Sequence, residues 1–97
     1  MDDQLINAYA FSNVQRALLT TMLFDILKKE EDPAKGLQEY YGSVRHHLQT
    51  AEFPSEDPDA ERIRHESLNL MKRFFRDVEA LLLKEHVISE SKLVPWD

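Results

Sequence analysis

The run from Ala17 to Leu27, Ala-Leu-Leu-Thr-Thr-Met-Leu-Phe-Asp-Ile-Leu, is the most apolar stretch of the chain and constrains its fold more than any other. Wound as a helix, it does not keep its apolar side chains to one side. Leu18 and Met22 point one way, Leu19, Leu23 and Ile26 another, and Phe24 and Leu27 beyond them. A helix that is apolar nearly all round has to be buried nearly all round. The remainder of the chain is therefore expected to cover this segment.

The expectation of helix extends to the whole chain. Leucine dominates the apolar residues, while valines and isoleucines are few and never alternate with polar residues as they do in a half-buried strand. With 97 residues, 42% hydrophobic and 31% charged, the composition suits one globular domain, so a single all-α domain over 1–97 is expected. Cysteine is absent, which rules out disulfides, thiolate zinc sites and cysteine nucleophiles.

Proline and aspartate divide the chain. Asp3 reads as the N-cap of a first helix, 3–30, which must stop before Pro33 because proline disfavours helical geometry at the residue preceding it. Asp32-Pro33 reads as the start of a short second helix, 33–50, with Leu37, Tyr40, Tyr41, Val44 and Leu48 at helical spacing. Both glycines fall inside it, each costing up to about 1 kcal/mol relative to alanine, and a bend with a close crossing is expected at Gly42. The segment from Phe53 to Pro58, with two prolines and a run of acids, separates it from a third helix, 58–88, capped by Asp57. The apolar stripe of that helix runs from Ile63 to Ile88, and residues 89–97 read as an extended tail whose Trp96 packs back onto the helices. The architecture is thus a long–short–long three-helix unit with an extended C-terminal tail.

Length then bears on stoichiometry. A compact domain of this size is about 32 Å across, whereas the first and third helices should each reach about 40 Å. The short second helix can cover only part of the first, and large apolar patches left over usually mark an interface. A two-fold homodimer is the commonest solution. The chain is therefore expected to pair with itself into a dimeric helical bundle, with Leu19, Leu23, Phe24, Ile26 and Leu27 forming core and dimer interface.

Charge narrows the partners. The net charge of −6 disfavours nucleic acid and anionic membrane, both of which need a cationic field. The apolar run is shorter than the roughly 20 residues needed to cross a bilayer, and Met-Asp-Asp-Gln carries acid where a secretory signal carries Lys or Arg, so a cytoplasmic location is expected. On the third helix Arg62, His65, Asn69, Lys72, Arg73 and Arg76 follow one another at three- and four-residue steps. Such a cationic stripe is ordinarily the solvated side of an amphipathic helix; its functional reading is a docking strip for an acidic protein partner.

Chemistry is harder to find. Glu61 and His65 stand at i, i+4, but a di-metal bundle needs Glu-x-x-His on two helices, and no Glu here has a His three residues on. Ser43 precedes His46 and His47 on a helix with no buried orienting acid, which is not a nucleophilic site. No catalytic residue, metal or cofactor is expected. The sequence points to a non-enzymatic protein–protein interaction module, an adaptor, regulator or antagonist. The alternative is a small-molecule- or metal-binding helical bundle, with Tyr9, Tyr40, Tyr41 and a histidine converging on a pocket between the helices.

Overall fold

A computed structural model describes residues 2–51 and 59–91, and among them the secondary structure is three helices without a strand: α1 Asp3–Leu27, α2 Pro33–Thr50 and α3 Ala60–Lys84. The Asp57-Pro58 cap and the Trp96 tail lie outside the described residues. The first cap is Asp2 rather than Asp3, its carboxylate accepting from the Gln4 amide at 3.1 Å. Asp32 starts α2 as the Asp-Pro pair implies, accepting from the Lys35 amide at 3.2 Å with Pro33 in the first turn. Thr20 and Thr21, the two polar residues side by side in the apolar run, donate their hydroxyls back to the carbonyls of Arg16 and Ala17, which lets them sit inside α1.

Both long helices stop earlier than their apolar patterns suggest. After Leu27 the chain tightens, with the Lys29 amide donating to Ile26 and the Glu30 amide to Leu27, each three residues back. α3 ends at Lys84 because His86 takes a left-handed conformation, φ 59°. The His86 amide then donates to the Leu83 carbonyl and the Val87 amide to that of Leu82, the paired bonds of a Schellman stop. That position normally belongs to glycine, so the sequence carries no conventional stop signal there. The reversal returns Ile88 to the core instead of continuing the helical stripe.

The turn between α1 and α2 sits beside residues 86–88, and the Ala51 carbonyl at the end of α2 accepts from Arg64 near the start of α3 at 2.7 Å. The chain therefore runs up, down and up again. Its core gathers at one end: Leu27 from α1, Leu37 from α2, and Met71, Phe75, Val78 and Leu82 from α3, closed by Ile88. Tyr41 and Phe74 both set ring edges against Phe75, with centroids 5.4 and 5.2 Å away. Away from this end α1 is little covered. The radius of gyration is 15.5 Å, above the about 13 Å of a compact chain of this length.

The glycines exchange roles relative to expectation. Gly42 has open space where a Cβ would go, so no element crosses α2 closely there. At Gly36 a Cβ would run into the Glu30 carboxylate and lie 3.0 Å from Leu27 Cδ2, so the close approach is that of the α1–α2 turn. Gly42→Ala is accordingly expected to stabilise the fold by about 0.5–1 kcal/mol in urea denaturation, the helix-propensity gain alone. Gly36→Ala should lose that gain to the displacement of Leu27; an equal gain at both positions would show that the Leu27 contact is not tight.

Candidate interaction surfaces

The expected all-round burial of Ala17 to Leu27 is not achieved within one chain. Leu27 is fully buried and Leu23 and Phe24 pack partly against the core, but Leu19 and Ile26 are about half exposed and Leu18 and Met22 more so. The reason is geometric. α2 leaves the end of α1 at a short turn and covers only its last turns, and α3 borders a single side. The exposure continues toward the N-terminus through Val14, Phe11, Tyr9, Ile6 and Leu5. Between Gln4 and Phe24 the only charged residue is Arg16, and it is ion-paired with Asp77 of α3.

Helical spacing sorts these side chains. Leu23 and Leu27 point to the core, while Phe11, Val14, Leu18 and Met22, at steps of three and four residues, form a stripe on the opposite side of α1. They are 66%, 57%, 59% and 59% exposed, although each is a large apolar side chain.

A second apolar surface lies between the helices. It is a groove of about 520 Å³, lined by Leu19 and Leu23 of α1, Tyr40, Val44 and Leu48 of α2, and Leu70, Met71, Phe74 and Phe75 of α3. Ser12, Gln15, Arg16 and Ser67 supply its polar groups. The volume falls within the range of small-ligand pockets. The expected meeting of three tyrosines and a histidine does not form there: Tyr40 lines the groove, Tyr41 turns its edge to Phe75, and Tyr9 lies on the exposed part of α1. Helical phase explains this, because Tyr40 and Tyr41 are adjacent and so point about 100° apart.

The cationic stripe of α3 occupies the side opposite its buried face. Arg62, His65, Arg73 and Arg76 are exposed and Lys72 is half-buried, all within one arc of the helix. His46 and His47 are exposed on α2, and among the described residues no group of three or more His, Asp or Glu is placed to hold a metal ion.

One charged residue outside the sequence expectations is buried. Glu79 is 5% exposed on the core side of α3 and accepts from the Ser91 hydroxyl at 2.7 Å. Its position four residues beyond Phe75 was the available signal, since that spacing puts both on one face. The contact fastens the segment after the α3 stop onto the helix. The chain matches no family model, no curated protein and no solved structure.

Proposed function

We propose that the chain is a non-enzymatic, cytoplasmic protein-interaction module that works as a helical homodimer, an adaptor, regulator or antagonist of another protein. The observation that carries this reading is the apolar surface of α1, a helix with one charge between Gln4 and Phe24 whose large side chains from Leu5 to Met22 stand in solvent. Nine large apolar side chains of α1 are between 45% and 66% exposed, which leaves apolar surface on the order of several hundred Å² in water. Solvating it in a monomer forgoes about 25 cal/mol for each Å² left uncovered. A mass measurement by light scattering at micromolar concentration should return twice the 11.4 kDa of one chain; the monomer mass would overturn the homodimer.

The cationic side of α3 is the docking strip for an acidic partner in this reading. Exposed Arg62 and Arg73 flank half-buried Lys72 along it. A polyglutamate peptide should bind at low salt, weaken as salt screens the contact, and lose binding in the triple variant Arg62→Glu, Lys72→Glu, Arg73→Glu. Binding unchanged in that variant removes the strip from the function.

The groove between the helices favours a second reading, a bundle that takes a small apolar ligand. A ligand bound only by the native state raises the melting temperature, so a panel of fatty acids and aromatic metabolites should shift the Tm of the full chain if the groove is a pocket. A flat response across the panel rejects it.

A further inference from the structure

The geometry points to the outward stripe of α1 as the self-association seam: Phe11, Val14, Leu18 and Met22 pair antiparallel with the same stripe of a second copy. This rests on the homodimer reading and adds the face, the direction and the register.

Three observations converge on it. The stripe lies opposite the core, so a second helix can approach it without disturbing α2 or α3. Next, its central pair is self-complementary. A two-fold axis at the level of Arg16 brings Val14 against Leu18 of the second copy and Phe11 opposite Thr21, one residue from Met22, so that apolar side chains meet in both halves of an isologous contact. Finally, the charges at the two ends select the direction. The same helical side carries Asp3 at the start of α1, with Lys29 just past its end. The axis that matches Val14 with Leu18 also matches Asp3 with Lys29 of the second copy and Asn7 with Asp25. A parallel pair would instead set Asp3 against Asp3 and Lys29 against Lys29, and would align the two helix dipoles unfavourably. Between Asn7 and Asp25 the seam side of α1 carries no charge, so closing its central turns desolvates no ion.

The register gives a direct test, because the chain contains no cysteine and each variant therefore has one thiol. Full-length Val14→Cys and Leu18→Cys proteins are oxidised separately and after refolding together. Disulfide-linked dimer should form in the mixture and be scarce in either variant alone. Linkage in each variant alone, with no gain on mixing, would mean a parallel pair and overturn the proposal. A second pair of variants tests the face. Leu18→Glu, at a position 59% exposed, should keep its helical circular dichroism and weaken dimerisation on the order of a hundredfold, since symmetry buries two carboxylates. Leu70→Glu, on the lip of the groove, should dimerise as the parent does. The reverse result would place the second copy in the groove and overturn the seam while leaving a homodimer. A monomeric parent chain would overturn both the seam and the homodimer.

Discussion

The structure depends on one joint, the packing of Leu27 against Leu37 with Val78 and Leu82 behind them. The turn of residues 28–32 is short, so the last turn of α1 and the first turns of α2 cannot separate, and α3 closes over both. Gly36 is part of the same joint, since its missing side chain lets Leu27 and Glu30 come in close. Every deeply buried apolar side chain among the described residues lies in this cluster. The rest of α1 therefore extends from the joint and meets α3 along a single side, where Arg16 bonds Asp77. An exposed ion pair of this kind contributes at most about 1 kcal/mol, enough to orient the helix but not to bury it.

A helix held at one end has to find its stability elsewhere. Isolated helices of 12–15 residues are marginal in water, and most helical stability in proteins comes from packing an apolar face. Residues 3–15 of α1 have little such packing within the chain: every one of them is exposed. Covering the outward stripe would supply what the short core does not, so association and the helicity of this half are coupled in the reading proposed above. The groove lies toward the other lip of the same helix, and the two apolar surfaces can act independently.

The number of helices, their class and the Asp32-Pro33 junction were legible because proline geometry, capping and 3.6-residue periodicity are local effects. The ends of the helices were less so. His86 stops α3 by taking a left-handed conformation that its residue type does not announce, and Ile88, which continues the helical stripe in sequence, reaches the core by a chain reversal instead. Gly42 looked like the site of close approach and Gly36 holds it, because which glycine meets a neighbour depends on where the α1–α2 turn lands. The run from Ala17 to Leu27 announced its apolar character but not its surroundings. Burial is a property of what packs against a residue, and α2 is placed by the turn rather than by the length of apolar sequence available to it.

Charge is distributed as sharply as apolar surface, and this bears on how the two kinds of contact would respond to conditions. α1 has Arg16 as its only charge between Gln4 and Phe24, whereas α3 carries charged residues in nearly every turn and, Arg64 apart, gathers its cations on one side. Apolar association is little weakened by added salt, while a contact between exposed charges fades once their separation exceeds a Debye length of about 8 Å at physiological ionic strength. In the reading proposed above, self-association through α1 and capture of an acidic partner through α3 would therefore be separable by ionic strength alone. The surfaces lie on different helices, point in different directions and draw on different forces, so in this arrangement the first can be permanent while the second remains reversible.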